Sequence, residues 1–248
     1  MNTLVCISHV PDTTSKINFT ADSKALDATG IQYVINPHDE YALTKAIQLK
    51  EAGGGTVTVL NVGGANTEPT LRKALAIGAD KAVRVNLEPT DSLSVAKAIA
   101  DHIGGASYDL IMCGQESIDY NGQQVPGMVA AMLDLPFANS CVGLELDGST
   151  ATVKSEIDGG NAVYSANLPL VLGSKKGLVE ENELRIPNMR GIMTARTKPL
   201  EVVEAAAADA GVQSVSFAKP APKEAVTMVD ADNIDELVRL LSDEAKAI

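Results

Sequence analysis

The chain is poor in aromatic residues: it has no tryptophan, and aromatic side chains make up only 3% of its 248 residues. Few rings are therefore available to stack on nucleic-acid bases. Positive charge is also scarce, because 20 Lys and Arg residues stand against 32 Asp and Glu residues, for a net charge of −12. A surface of this sign repels a phosphate backbone. We therefore expect no binding to nucleic acid, and a core built from aliphatic side chains.

Cysteines are few as well, and long apolar runs are missing. Cys6, Cys113 and Cys141 are scattered through apolar, strand-like stretches, which indicates buried thiols rather than a disulfide framework or a zinc site. No apolar run reaches the ~18 residues of a membrane-spanning helix. No secretory leader precedes the first predicted strand. We expect a cytoplasmic protein with no membrane span.

Two common nucleotide motifs are absent. The sequence contains neither Gly-x-x-x-x-Gly-Lys-Ser/Thr nor Gly-x-Gly-x-x-Gly, so it has no P-loop and no dinucleotide fingerprint. It does contain an apolar strand that stops at Gly114, a polar loop, and an apolar-periodic helix that begins near Gln123. Unpaired backbone N–H groups and the helix dipole converge at such a point and favour a phosphate. The pattern predicts nucleotide binding without hydrolysis.

The first half of the chain alternates strands and helices. Apolar runs predict strands over residues 4–8, 56–62, 82–85 and 109–113. Helical periodicity predicts a helix that opens at Asn36-Pro37 and two more over residues 68–77 and 92–103. Strands that alternate with helices of this length indicate βαβ units. The predicted fold class is α/β, with a Rossmann-like parallel sheet of the adenine-nucleotide-binding type.

The pattern changes after Pro136. Residues 141–147, 150–156 and 161–172 are predicted strands, and the Asp-Gly turns between them indicate a small antiparallel extension. Residues 173–222 lack periodicity, and residues 232–246 predict a helix with Asp232 as its N-cap. We therefore divide the chain into a nucleotide-binding domain with its extension, residues 1–190, and a C-terminal arm that ends in a helix, residues 191–248. That helix buries its apolar face either on a partner subunit or on the chain's own domain.

A ligand site is expected at one edge of the sheet, because a parallel sheet binds its ligand beyond the carboxyl ends of its strands. The polar side chains expected there are mostly uncharged amides and hydroxyls: Ser8, Asn36, Gln115, Asp119, Asn121, Gln123 and Gln124. Such groups hold an adenine, a ribose or a phosphate without activating it. His9 is the only candidate for general acid–base chemistry at this edge. We expect no catalysis by this chain alone, and no metal site, because no second carboxylate stands at ligand spacing from Asp119.

A second segment, residues 180–193, mixes charges with apolar side chains around Pro187 and Gly191. Leu184, Ile186 and Met189 on a mobile loop suit a contact with another protein, since methionine adapts its shape to several partners. The alternative is a loop that folds back to cover a sheet edge.

Several short motifs follow one another along nearly the whole chain. They are Val10-Pro11-Asp12, Asn36-Pro37-x-x-Glu40, Arg72-Lys73-Ala74-Leu75-Ala76-x-Gly78-Ala79-Asp80, Gly114-x-x-Ser117-Ile118-Asp119, Gln124-Val125, Glu156-Ile157-Asp158-Gly159-Gly160, Leu168-Pro169 and Gly191-Ile192-Met193-x-Ala195-Arg196-x-Lys198-Pro199. In this order and spacing they resemble the small (beta) subunit of electron transfer flavoproteins.

The resemblance implies a heterodimer with a larger alpha subunit, whose FAD passes electrons from flavin dehydrogenases, such as acyl-CoA dehydrogenases, to an acceptor. It also implies an AMP in this chain in most members, and a second FAD in electron-bifurcating members. By position, the implied nucleotide site comprises Cys6, Asn36 to Asp39, Val62, and the loop from Gly114 to Val125 with Asp119, Asn121, Gly122, Gln123 and Gln124. The implied partner-recognition loop comprises Leu184, Arg185 and Met189, which stands where the family carries a protruding leucine.

The chain departs from the family pattern at a few positions. Ser155 and Ala162 replace a basic and an acidic residue that flank the Asp-Gly-Gly turn, and Leu184 replaces a proline. Two other functions stay open at this point. One is an electron-bifurcating subunit that holds a second FAD and oxidises NADH, with residues 91–94 facing that cofactor. The other is a stand-alone nucleotide-binding sensor of the universal-stress type, which shares the architecture but needs no partner.

Overall fold

A computed structural model of the chain describes residues 1–206, 210–223 and 225–248. The first part of the chain alternates strands and helices as predicted. In chain order it contains β1 (Asn2–Cys6), β2 (His9–Pro11), β3 (Tyr33–Ile35), α1 (Pro37–Gly53), β4 (Thr56–Val62), α2 (Glu68–Ile77), β5 (Lys81–Asn86), α3 (Ser92–Ile103), β6 (Leu110–Gly114) and α4 (Val125–Leu133).

Local chemistry explains where these helices begin and end. Helix α1 starts at a proline, whose missing N–H costs nothing in a first turn, and Asp39 and Glu40 follow in that turn. Helix α3 has a capping box: the Asp91 carboxylate accepts a 2.8 Å hydrogen bond from the Ser94 N–H. Helix α2 ends at Gly78, and the N–H of that glycine donates to the Ala74 carbonyl.

The second part of the chain completes the sheet and adds the arm. It contains β7 (Phe137–Asp147), β8 (Thr150–Ile157), β9 (Gly160–Asn167), β10 (Leu170–Ser174), α5 (Met189–Ala195), β11 (Leu200–Glu204), α6 (Ile234–Arg239) and a π-helical turn (Leu240–Glu244). The main sheet has nine strands in the order β11-β5-β4-β1-β6-β10-β7-β8-β9. Only the β7–β8 and β8–β9 pairs of this sheet are antiparallel. The fold is therefore α/β, with a Rossmann-like parallel sheet and a small antiparallel extension, as predicted.

Two predictions about the second part of the chain were wrong. The strand predicted over residues 161–172 is two strands, because it is interrupted at Pro169, which has no N–H for a sheet ladder. Its second half, β10, is not antiparallel but runs parallel between β6 and β7 in the middle of the sheet. The region predicted to be irregular also contains α5 and the edge strand β11, which pairs parallel with β5. Both elements are too short for a clear periodic pattern.

The C-terminal helix also differs in detail. Its N-cap is Asn233 rather than Asp232, and the Asn233 side chain accepts from the N–H of Glu236. The apolar residues Ile234, Leu237 and Val238 are exposed, so the described part of this chain does not bury that face. Residues 207–209 and 224, which belong to the predicted arm, lie outside the described residues.

Beyond β11, the arm makes further contacts with its own domain. The N–H of Gly211 donates to the Asp91 carboxylate at 2.7 Å. Further along, the rings of Phe19 and Phe217 stack with their centroids 5.4 Å apart. These contacts hold the part of the arm between β11 and α6 against the domain.

Two aliphatic clusters pack on opposite faces of the sheet. One joins β1, β4, β6 and β10 to α1 and α2, and the other joins the alternate side chains of these strands to α3 and α4. Leu110 and Met112 face the first cluster, and Ile111 and Cys113 face the second. This alternation is typical of a sheet covered on both faces. In the described part of the chain, no helix is long and apolar enough to cross a membrane.

Candidate functional site

The candidate site lies where the strand order of the sheet reverses. Strand β1 is flanked by β4 on one side and β6 on the other, and all three run parallel. The connections that leave β1 and β6 at this point go to opposite faces of the sheet, since α1 packs in one aliphatic cluster and α4 in the other. The crevice beyond the carboxyl ends at such a switch point is where open α/β sheets bind ligands.

Asp39 ties the ends of β1 and β6 together. One carboxylate oxygen accepts from the N–H of Ser8 at 2.7 Å, and the other accepts from the N–H of Gly114 at 2.7 Å. The side chain is buried, and burial raises the pKa of Asp39 to about 7, although both hydrogen bonds act to lower it. Asp39 therefore does more than place an acid in the first turn of α1, because its carboxyl group holds two strands in place.

Asn36 fixes the loop that follows β6. Its amide nitrogen donates to the Glu116 carbonyl at 2.9 Å, and its amide oxygen accepts from the N–H of Ile118 at 3.2 Å. Gly114 is required beside it, because a Cβ atom there would lie 2.4 Å from the Asp39 carboxylate and 2.9 Å from the Asn36 amide. Asn36 and Asp39 thus build the site, with each of their side-chain polar atoms already engaged.

The loop from Gln115 to Gln124 carries unusual backbone conformations. Asn121 and Gln123 have positive φ angles of 51° and 53°, and both are exposed. Left-handed backbone at a residue other than glycine costs free energy and clusters at functional sites. The Gln123 amide reaches back to the Glu116 carboxylate at 3.0 Å, and the other Glu116 oxygen lies 3.7 Å from His38 Nε2. Glu116 was not predicted as a site residue, and nothing in the sequence distinguishes it from other loop acids.

Helix α4 presents an uncapped N-terminus at the end of this loop. It begins at Val125 with Pro126 in its first turn, and Gln124 at the N-cap makes no side-chain capping hydrogen bond. The first-turn N–H groups therefore keep their capacity to bind an anion. The side chains of Gln123 and Gln124 are exposed beside them.

The floor of the crevice is apolar on the α4 side. Cys6, Val62 and Cys113, at the ends of β1, β4 and β6, belong to the same aliphatic cluster as α3 and α4. Beside them, the buried Asn61 amide donates to the Ile7 carbonyl at 2.8 Å and holds β4 against the end of β1. A polar residue inside the apolar run of residues 56–62 was the sequence signal for Asn61.

The chemistry of the site fits an adenylate. Buried polar atoms without a hydrogen-bond partner among the described residues include Gln115 Oε1, His38 Nδ1 and Asn61 Oδ1, all at this edge of the sheet. An apolar floor beside unpaired acceptors and donors suits a purine, and the α4 N-terminus suits a phosphate. This edge of the sheet thus combines apolar side chains, polar atoms without a partner in the described part of the chain, and first-turn N–H groups.

His9, the predicted acid–base candidate at this edge, contacts two neighbouring side chains. His9 Nδ1 lies 2.8 Å from the Thr70 hydroxyl, and the His9 ring stacks on Tyr33 with centroids 4.3 Å apart. Burial lowers the pKa of His9, while the Asp119 carboxylate acts to raise it. Within the described residues, no three His, Cys, Asp or Glu side chains are grouped in a way that could hold a metal ion.

The three predicted recognition residues differ in their exposure and contacts. Leu184 is half-buried against the core, and Arg185 pairs with Glu51 on α1. Met189 instead begins α5 and is 76% exposed. Residues 180–193 were predicted to be a mobile loop, but residues 189–193 belong to α5, which packs on α2. Met189 is the one of the three whose side chain is exposed without an ion-pair partner or a contact with the core among the described residues.

Comparisons with known proteins agree with this architecture. A family model described as the electron transfer flavoprotein domain matches residues 24–208. Electron transfer flavoprotein subunit beta from Bacillus subtilis is 35% identical, with 100% of both chains covered. The subunit of the same name from Syntrophomonas wolfei is 40% identical over 91% of this chain and 88% of its own length. A mitochondrial subunit beta from Oryza sativa is 30% identical, again with both chains fully covered. On these matches the chain belongs to the beta-subunit family of electron transfer flavoproteins.

Proposed function

We propose that this chain binds AMP at the β1/β6 switch point and acts as the small subunit of a heterodimer whose alpha subunit carries FAD. The observation that carries the proposal is the uncapped α4 N-terminus, which faces strand ends tied together by Asp39. FAD, when bound by the heterodimer, supplies the redox chemistry. The residues of this chain bind and orient groups around it, and shuttling of electrons from dehydrogenases such as acyl-CoA dehydrogenases follows from that arrangement.

Each part of the nucleotide has a candidate partner. First-turn N–H groups of α4 hold the phosphate, and the exposed amides of Asn121, Gln123 and Gln124 reach the phosphate and ribose. The purine lies over Cys6 and Val62. Asn36 and Asp39 shape the pocket through the backbone they hold rather than by gripping the ligand.

A partner subunit is supported by apolar surface that the described residues leave uncovered. The apolar face of α6 is exposed, and Val212, Val215, Val226 and Met228 in the arm are exposed as well. So many exposed apolar side chains in one segment suit a surface that a partner covers. A stand-alone nucleotide-binding sensor does not need such an exposed apolar surface. Of residues 91–94, Asp91 caps α3 and holds Gly211 in the arm, and Ser94 completes the capping box, so these two side chains are already engaged.

The cofactor content of the purified heterodimer tests the nucleotide assignment. We expect acid extraction and chromatography to release one FAD and one AMP per heterodimer. Two FAD and no AMP would instead identify an electron-bifurcating protein. A chain that purifies alone, with no adenylate and no affinity for an FAD-bearing subunit, would overturn the proposal as a whole.

Met189 is proposed as the anchor for the electron-donating dehydrogenase. Replacing Met189 with alanine removes an exposed apolar side chain, and we expect KM for an acyl-CoA dehydrogenase to rise about tenfold, the scale of a buried interface anchor. The AMP and FAD content should stay unchanged, because Met189 lies on α5, packed against α2 and away from the β1/β6 crevice. Steady-state reduction of the heterodimer by the dehydrogenase measures the effect.

Val163→Ala is a matched control, because Val163 is also an exposed apolar residue but lies on β9. It should leave KM for the dehydrogenase within twofold of the wild-type value. Equal KM values for Met189→Ala and the wild-type heterodimer would contradict the proposal that Met189 anchors the dehydrogenase.

A further inference from the structure

Helix α5 is too short to be stable by itself. It has seven residues, and isolated helices shorter than ~12 residues are marginal in water. Its buried side consists of Ala195, which packs in the core, and Gly191, where a Cβ atom would lie 2.2 Å from the Ala76 carbonyl oxygen of α2. Little apolar area is therefore buried, and α5 needs another source of order.

That order comes from two cations that cross between α2 and α5 in opposite directions. Arg72 of α2 donates through Nη1 to the carbonyls of Ala195 and Lys198, each at 2.8 Å. Lys198, just beyond α5, donates through Nζ to the carbonyls of Leu75 and Ala79, at 2.9 and 2.6 Å. We call this pair of residues the clasp.

Each cation of the clasp binds one carbonyl in the last turn of the other helix, that of Ala195 or Leu75, and one just beyond it, that of Lys198 or Ala79. A positive charge at that end also interacts favourably with the helix dipole. Charge-assisted hydrogen bonds are about twice as strong as neutral ones. The N-terminus of α5 is fixed as well, because the Asn188 side chain accepts from the Gly191 N–H at 2.7 Å. Helix α5 is thus held at both ends.

The outer side of α5 and of the turn before it is apolar and open. Ile186 is 80% exposed, Met189 76% and Met193 69%. A docking element that is held in place before binding loses less conformational freedom on contact than a mobile loop does. The clasp therefore fixes the inner side of a segment whose outer side is free to bind.

We propose that Arg72 and Lys198 are positioning residues for docking, which hold Met189 in its binding orientation through the backbone of α5. The inference rests on the proposed role of Met189. It also gives a physical reason for the joint presence of two motifs far apart in the sequence, residues 72–80 and 191–199, whose cations bind each other's backbone.

The test uses three substitutions to methionine in the full heterodimer. Arg72→Met and Lys198→Met each open one side of the clasp and keep an apolar side chain of similar length. Lys97→Met is the matched control, because Lys97 is exposed on α3, on the opposite face of the sheet. Two variants are used so that the proposal stays testable if one fails to fold.

We expect Arg72→Met and Lys198→Met to raise KM for an acyl-CoA dehydrogenase about tenfold, with kcat within twofold of wild type. Trypsin should cut after Arg190 and Arg196 at least several times faster in both variants, which reports the opening of α5 directly. Lys97→Met should change neither quantity. Unchanged KM and unchanged cleavage in both clasp variants would overturn the proposal.

A double substitution separates this proposal from the one on which it rests. If Arg72 acts through Met189, Arg72→Met should raise KM less than twofold further in a Met189→Ala background, since coupled residues are not additive. Full additivity would overturn the positioning role. If Met189→Ala changes KM and the clasp variants do not, only the clasp is wrong. If Met189→Ala itself has no effect, the docking surface is wrong.

Discussion

Asp39→Asn is expected to lower the Tm of the heterodimer by roughly 10 °C, which corresponds to about 3 kcal/mol for a domain of this size. Both Asp39 oxygens accept backbone N–H groups at 2.7 Å. Asparagine has the same shape but only one acceptor, so its NH2 group must face either the Ser8 or the Gly114 N–H. One buried hydrogen bond is then replaced by two opposed donors. Differential scanning calorimetry measures the shift.

The same substitution should reduce the AMP content of the purified protein, because the ends of β1 and β6 are no longer held together. Asp101→Asn is the control: Asp101 is exposed on α3, and the same chemical change there should stay within about 0.5 kcal/mol of wild type. A stable Asp39→Asn protein with full AMP content would show that the carboxylate neither ties the strands nor shapes the site.

The loss of thermal stability in Asp39→Asn is expected to depend on pH in one direction. Burial raises the pKa of Asp39 to about 7 from 3.8, so the folded chain holds a proton that the unfolded chain releases. The stability contributed by this group is complete below the unfolded value and is lost as the pH rises through about 7. We therefore expect the Tm difference between wild type and Asp39→Asn to narrow from pH 5 to pH 8. A difference that stays constant over this range would mean that the native carboxylate is already ionised at pH 5.

Much of the first half of the fold could be predicted from local signals. Strand β4 and helices α2 and α3 match their predicted limits, because each is bounded by a glycine, a proline or a capping residue. Pro169 marks the break between β9 and β10, which the prediction missed, but no local signal shows that β10 runs parallel between β6 and β7. Helix α5 is ordered by the distant Arg72, which no local window contains.

The sequence predicted which residues lie at this edge of the sheet, but not which of them are used for internal hydrogen bonds. Parallel-sheet topology placed Ser8, Asn36 and Gly114 at one edge, and the structure connects them there. The sequence could not show that Asn36 and Asp39 are buried and used for internal hydrogen bonds, because that depends on the close approach of α1 to β6. In the proposed complex the nucleotide is therefore left to the backbone of α4 and the exposed loop amides.

Asp39 and the clasp both bind backbone groups that lack other partners within the described chain, at different places in the fold. In each, backbone groups left unpaired at the end of an element are satisfied by an ionisable side chain from another element. At the β1/β6 edge the Asp39 carboxyl group accepts from N–H groups. Between α2 and α5 two cations donate to carbonyls. The two proposed surfaces, one for a nucleotide and one for a protein, are thus ordered by contacts between ionisable side chains and the backbone.

Gly191→Ala is expected to displace α5 and so to test this ordering without removing a charge. The added Cβ would lie 2.2 Å from the Ala76 carbonyl oxygen, and α5 must move by roughly 1 Å to reach van der Waals distance. Such overpacking costs about 1–3 kcal/mol. Since Arg72 and Lys198 bond to carbonyls on both sides of the contact, the shift stretches the clasp as well, and we expect KM for the dehydrogenase to rise at least tenfold.

Gly53→Ala provides the control, because Gly53 is the last residue of α1 and a Cβ atom there meets nothing within 4 Å. That change should leave KM unaltered and raise stability slightly, as alanine favours a helix over glycine by up to about 1 kcal/mol. If Gly191→Ala also leaves the Tm, KM and tryptic cleavage after Arg190 unaltered, α5 is not held against α2 in solution. The exposed methionines would then belong to a mobile segment, and the order seen at α5 would have no part in docking.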